Sequence, residues 1–217
     1  MSHTYEQYCP VARALEIVGE RWTLLVAREL MLGPRRFTDL MDGLPGISPN
    51  VLASRLKDLE SAGLVSKRTL PPPAASSVYE LTNQALGLAR VLAAMADWGM
   101  TMLGRPRKGD EVRGEWTVLG IAVTTPVPDL DDATYELHVD GEVLYVAVRD
   151  GRLQPGHGPA TDPAAVITVR ATTLADLALG RLDLDAALAR GRIMLAGDQA
   201  AARRLLEALQ RSRVALT

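Results

Sequence analysis

Residues 104–114 read GRPRKGDEVRG, a run of glycine, proline and charge that has the composition of a linker and little apolar surface to bury. The hydrophobic period changes across it. Before it, apolar residues recur every three to four positions, as on amphipathic helices. After it they alternate, as in strands, before helical spacing returns near the end. Two domains are expected, residues 1–103 and 115–217, joined by a linker over 104–114, each of ordinary domain size.

In the first half, residues 10–32 put Val11, Leu15, Val18, Trp22, Leu25 and Val26 at helical spacing, and Gly19 divides them into two helices. Gly33-Pro34 ends the second helix, and FTDLMDGL at 37–44 forms a short one stopped by Pro45-Gly46. The clearest start follows. Ser48 is a capping residue and Pro49 suits the first helical position, where its missing N–H is no loss. Leu52, Leu56 and Leu59 then make a buried stripe, and Gly63 closes the helix. At 100° per residue, Asn50, Ser54, Lys57 and Ser61 fall on the opposite side. Residues 64–70 and 77–82 read as short strands around the turn PPPAAS. From 84 to 103, Leu88, Val91, Leu92, Met95, Trp98 and Met102 mark a long helix whose apolar load serves either its own domain or a second copy.

The second half reads as an α+β layer. Residues 134–140 and 142–150 form a hairpin turning at Asp140-Gly141, and 165–170 a third strand. Two short helices (171–182 and 184–191), a strand at 192–197 and a closing helix capped by Asp198 complete it.

Composition narrows the function. A chain with 47% hydrophobic and 23% charged residues can bury a real core, and its apolar runs are too short for a membrane-spanning helix. The opening MSHTYEQYCP lacks the pattern of an export signal, so a cytoplasmic protein with no membrane partner is expected. A single cysteine, Cys9, excludes an internal disulfide and a multi-cysteine zinc site. His3, His138 and His157 lack metal-ligand spacing, and no cofactor is expected. No nucleophile–base pair or phosphate loop stands out, and Gly156-His157-Gly158 reads as a turn, so an enzyme is not expected. The net charge of −2 does not advertise nucleic acid, yet residues 35–68 hold six basic side chains against four acidic ones.

Helix, short helix, glycine-containing turn, capped helix and two-stranded ribbon is the order of a winged helix-turn-helix, whose capped helix enters a major groove. Arg35, Arg36, Lys67 and Arg68 are then candidate phosphate contacts, and Asn50, Ser54 and Lys57 candidates for base edges. Arg55, on the flank of the helix, serves either a phosphate or an internal ion pair with Asp58 or Glu60.

The residues Cys9-Pro10, Gly19-Glu20-Arg21-Trp22, Arg36-Phe37, Gly46-Ile47-Ser48, Arg55-Leu56, Leu59-Glu60, Ala62-Gly63-Leu64-Val65 and Tyr79-Glu80-Leu81-Thr82 resemble the HxlR-type regulators over about residues 8–103. The resemblance implies a homodimer, formed through the first and last helices of the domain, on a pseudo-palindromic duplex. It places DNA contacts at Arg36, Ser48, Asn50, Ser54, Arg55 and Lys57, plus the wing. Such a wing usually carries an arginine after its prolines. Here the tip is Pro73-Ala74-Ala75-Ser76-Ser77, so contact is left to Ser76 and Ser77, and a shallower salt dependence is expected.

Residues 115–213 more weakly resemble the sterol carrier protein-like fold, through Ala171-Thr172-Thr173-Leu174, Leu179-Gly180, the Ala187-to-Gly191 segment and Gly197-Asp198. Members carry an apolar cavity between sheet and helices. Here it would be lined by Trp116, Tyr135, Leu137, Val139, Leu144, Val146, Val148, Leu174 and Leu177, which would equally serve a solid core. Val143, Tyr145 and Ala147 make the second face of the hairpin apolar, so both faces are expected to be covered.

Three readings follow. The first is a DNA-binding regulator modulated by a small apolar ligand in the second domain. Another is a regulator sensing oxidants or electrophiles at Cys9, whose thiol pKa Arg13 and the helix N-terminus would lower, with a purely structural second domain. The remote alternative is a lipid-binding or transferase-related module.

Overall fold

The computed structural model of the chain describes residues 4–71 and 75–211. Two compact units divide between Leu92 and Ala93.

The first unit opens with α1 (Pro10–Val18) and α2 (Thr23–Leu30). Trp22, between them, takes a left-handed backbone with φ 81°, an uncommon conformation for a bulky residue. After them come α3 (Phe37–Asp42) and α4 (Pro49–Ser61). Gly63 (φ 71°) ends α4 as the sequence requires. The Leu64 N–H bonds the Leu59 carbonyl at 2.9 Å and the Gly63 N–H that of Glu60 at 2.9 Å, a Schellman cap that needs a left-handed residue. The wing pairs β1 (Val65–Thr69) antiparallel with β2 (Ser77–Leu81), and Arg35 and Tyr79 exchange backbone hydrogen bonds at its edge. Val26, Leu30, Leu40, Leu44, Ile47, Leu52, Leu56, Leu59 and Val65 form the core. A short 3-10 turn, Asn83–Ala85, leads into α5 (Leu86–Met102), which crosses the division between the units. Pro73 and Ala74 of the expected wing tip lie outside the described residues.

In the second unit α6 (Gly114–Thr124) precedes β3 (Ala133–Val139), β4 (Glu142–Arg149), β5 (Arg152–His157) and β6 (Ala165–Val169). Helices α7 (Ala171–Ala178) and α8 (Leu184–Ala189), strand β7 (Ile193–Gly197) and α9 (Gln199–Arg211) follow. The sheet order is β5-β4-β3-β6-β7, with β3 and β6 parallel and the other pairs antiparallel. Asp140 (φ 49°) and Gly141 (φ 90°) turn the β3–β4 hairpin, both left-handed as a two-residue turn of this kind demands.

Two elements depart from the sequence reading. Helix α6, GEWTVLGIAVT, is apolar on nearly every side and so shows no helical period. Strand β5 contains Gly156-His157, expected in a turn; its Pro155 is tolerated because β5 is an edge strand of the sheet. The sheet's second face also differs from expectation. Ala147 is buried, but Val143 and Tyr145 are half-buried, and the helices pack on the other side against Leu137, Val146 and Ile167. The ring of Tyr145 lies against Gly156 of the neighbouring strand β5, where a Cβ would come within 2.2 Å of it, so the aromatic side chain covers part of this face in place of a second layer.

Candidate nucleic-acid interface and apolar cavity

Helix α4 is anchored on one side and open on the other. The Ser48 hydroxyl accepts the Val51 N–H at 3.4 Å, and Leu52, Leu56 and Leu59 are fully buried. Ser48, Asn50, Ser54, Lys57 and Ser61 are all exposed. These side chains are short or flexible, so the surface can approach base edges closely, and its one cation is Lys57. The helix start, with free N–H groups, lies on the same stretch as Ser48 and Asn50 and favours phosphate.

The cations around it differ in exposure and in surroundings. Arg36 is exposed at the N-cap of α3, its N–H held by the Asp39 carboxylate at 2.9 Å. Arg35 is half-buried and tied by its backbone to Tyr79. On the wing, Lys67 stands 5.4 Å over the Tyr79 ring, and Arg68 is paired with Glu80 at 2.8 Å. That ion pair offsets much of the charge expected from the wing. Ser76 turns its hydroxyl inside, shut off from solvent, and Ser77 remains exposed. Arg55 takes the internal option, pairing with Glu20 at 3.4 Å and Asp58 at 3.5 Å; the sequence reading had Asp58 but not Glu20.

Two apolar stripes are exposed on helices. Val11 and Leu15 mark α1, and Val91, Met95, Trp98 and Met102 mark α5, Trp98 being 66% exposed. Ahead of α1, Cys9 is a half-buried free thiol at the N-cap position. Arg13, expected to act on that thiol, instead directs its guanidinium to Glu16 at 2.9 Å. Thr4 Oγ1 and the Tyr5 N–H also donate to Glu16, at 3.0 and 2.9 Å. The Tyr5 N–H foremost, then Arg13, hold the Glu16 carboxyl below the ordinary 4.5, which fastens the segment before α1 to that helix.

The second unit encloses an apolar cavity between sheet and helices. Leu137, Val146, Leu153 and Ile167 line it from the strands, Val118, Ile121 and Ala122 from α6, Leu174 from α7, and Leu205, Leu206 and Leu209 from α9. Leu137, Val146 and Leu174 were expected there. Tyr135, Val139, Leu144, Val148 and Leu177 are buried in the surrounding core, and Trp116 is half-buried with Arg113 stacked 5.3 Å from its ring. The α6 and α9 residues are outside the expected lining: α6 has no period to read, and the spacing on α9 is equally that of a plain closing helix. The room for the centre of a water-sized sphere is about 20 Å³, enough for about one water but far from the several hundred Å³ of a small-molecule site.

Sequence reasoning also missed a pair at the edge of the sheet. His157 Nε2 lies 2.7 Å from the buried Glu115 carboxylate, whose own N–H is accepted by Glu142 at 3.1 Å. It ties β5 to α6. No serine or cysteine occurs between residues 78 and 211, so among the described residues of its unit the pair has neither of these nucleophiles to activate. Among the described residues no group of His, Cys, Asp or Glu could hold a metal ion, and no helix is long and apolar enough to cross a membrane.

Comparison with known proteins finds two families along the chain, with residues 108–126 between their matches. The HxlR-like helix-turn-helix family matches residues 17–107. The SCP-2 sterol transfer family matches residues 127–210. The HTH-type transcriptional regulator YodB of Bacillus subtilis is 36% identical over 91 residues, covering 42% of this chain and 81% of its own length. An uncharacterized HTH-type transcriptional regulator of the same organism, YvaP, is 33% identical over 93 residues, 42% of this chain and 86% of that one. Another, from Mycobacterium tuberculosis, is 40% identical over 106 residues, 49% of this chain and 66% of that one. Among solved structures, the reduced form of YodB is 32% identical, covers 46% of this chain and 100% of that one, and has a TM-score of 0.40.

Proposed function

This chain belongs to the HxlR-like helix-turn-helix family of transcriptional regulators, and from that premise we propose that it acts as a homodimer on a pseudo-palindromic duplex. The observation that carries the proposal is α4: three buried leucines on one side, and Ser48, Asn50, Ser54, Lys57 and Ser61 exposed on the other. In each subunit α4 enters a major groove, with Asn50, Ser54 and Lys57 at base edges and Arg36 on a phosphate. The stripes of α1 and α5 supply the dimer contact, since a row at 91, 95, 98 and 102 is what a partner helix covers.

The second unit acts as the sensor for a small apolar ligand. The cavity supports this reading, because its lining is apolar and gathers side chains from three helices and the sheet. At its present size the ligand must move α6 or α9 away from the strands to enter. Regulation follows if the ligand binds the DNA-competent and DNA-incompetent forms unequally. Cys9 ranks second as a sensor, with Arg13 drawn to Glu16.

Sequencing the DNA fragments retained by the purified protein tests the first part. An inverted repeat with half-sites about one helical turn apart is expected; fragments without any shared motif would end it. Titration with fatty acids and sterols, with and without the recovered duplex, tests the second. Equal ligand affinity in both conditions removes the sensor.

A further inference from the structure

Among the described residues, Arg55 is a cation of the first unit that keeps a buried donor unpaired. Its Nε is buried and without a hydrogen-bond partner among the described residues, and its one hydrogen bond goes to Ser54 Oγ at 3.3 Å. The two carboxylates near it are loosely placed. Glu20, in the turn between α1 and α2, lies 3.4 Å away and is 61% exposed; Asp58, one turn further along α4, lies 3.5 Å away and is 52% exposed. The Arg55 side chain is 18% exposed, drawn along the flank of α4 beside Ser54. A guanidinium has five N–H donors in a fixed fork that matches phosphate oxygens. Exposed ion pairs of this kind are weak, so a phosphate presented along α4 competes with them successfully.

We propose that Glu20 and Asp58 are positioning residues of the DNA site: they hold the Arg55 guanidinium back in the free protein, and duplex DNA draws it out onto a phosphate. The proposal rests on the DNA-binding reading above and adds a threshold to it. Because Glu20 sits in the α1–α2 turn, a shift of α1 changes how firmly Arg55 is retained.

Phosphate contacts are independent of sequence, so a mixed-sequence duplex of about 30 base pairs is a sufficient probe for the full-length protein, followed by fluorescence anisotropy across a salt series. Glu20→Gln is expected to tighten binding about two- to fivefold, the range of one exposed ion pair. It should also steepen the slope of log affinity against log salt by up to about 0.9, the equivalent of one phosphate contact. Asp58→Asn should move both readings the same way, and Glu20→Asp, which keeps the charge, should stay near the parent. In an Arg55→Gln background, Glu20→Gln should change neither reading.

The same tightening in that background would mean that the carboxylate acts by its own repulsion of DNA, and would overturn the proposal. So would weaker or unmoved binding of both Glu20→Gln and Asp58→Asn while the parent binds well. A parent protein that binds no duplex at all overturns the regulator reading and this one with it.

Discussion

Helices α4 and α9 are each 13 residues long, each capped by a side chain, and each bury three leucines, yet they are open in opposite directions. Inside, Leu52, Leu56 and Leu59 of α4 meet a filled core, whereas Leu205, Leu206 and Leu209 of α9 border a cavity. Outside, α4 presents Asn50, Ser54, Lys57 and Ser61 to solvent. On α9 the polar side carries ion pairs within its own unit: Arg203 binds Glu207 at 2.9 Å and Asp185 of α8. The lesson is that a helix can be kept for what its polar face meets or for what its apolar face leaves open. The first helix works outward and the second inward.

The largest test of that contrast is truncation on the apolar faces. Leu56→Ala should cost about 2–5 kcal/mol, and Leu206→Ala should fall in the upper part of that range, because neighbours that already leave a void collapse less into a new one. Urea unfolding with hydrogen exchange reads both, the first through amides of α2 and α4, the second through β3 and β6. A small apolar solute such as benzene should restore part of the loss at Leu206 and none at Leu56. Equal rescue at the two sites would erase the inside difference.

Next in size is the association that an outward-working helix requires. Trp98→Glu places a charge in the middle of the α5 stripe and should cost about 2 kcal/mol or more of dimer stability, roughly thirtyfold in dissociation constant, by sedimentation. Met194→Glu, at an exposed apolar residue of β7, should leave association unchanged. Loss of the dimer from both variants would move the interface to the sheet.

How much of this was legible depends on which signal each element carries. The first unit was readable almost residue by residue, because its helices have caps and a one-sided stripe: Ser48, Pro49 and Gly63 delimit α4 by residue type alone. The second unit gave up its hairpin through Asp140-Gly141 but hid α6, whose apolar residues point every way, and β5, whose Pro155 and Gly156 imitate a loop. Those two elements supply four cavity-lining residues, Val118, Ile121, Ala122 and Leu153, so the expected lining was right in type and incomplete in membership. On the DNA side, residue types and exposure were readable, but pairing was not. That Arg68 would meet Glu80, and Arg55 the distant Glu20, depends on the wing register and on where the α1–α2 turn falls.

A smaller effect separates the polar faces. A mixed-sequence duplex does not offer Lys57 its proper base edge, so there the ammonium rests on the backbone, and Lys57→Ala should weaken binding and reduce the salt slope by about 0.9, as one lost phosphate contact does. Arg204→Ala, exposed on α9, should change neither the affinity nor the slope. Anisotropy in a salt series decides, and an equal response from both would mean that net charge, not the α4 face, carries the affinity.

The smallest effect belongs to Ala122, on the α6 wall of the cavity and 7% exposed. Ala122→Val adds two methyl-sized groups to a space with about 20 Å³ of room for a water-sized centre. Burying them contributes about 1.6 kcal/mol at 0.8 per group. The lower helix propensity of valine takes back about 0.5 kcal/mol. A net gain of at most about 1 kcal/mol is expected, together with weaker binding of any apolar ligand that uses this space, because the substitution occupies part of it. The two readings must move in opposite directions. A stabilised variant that binds fatty acids as well as the parent would place the ligand elsewhere, and a destabilised one would mean that the walls are already in contact. In either case α9 would lose its inward role and stand as an ordinary closing helix.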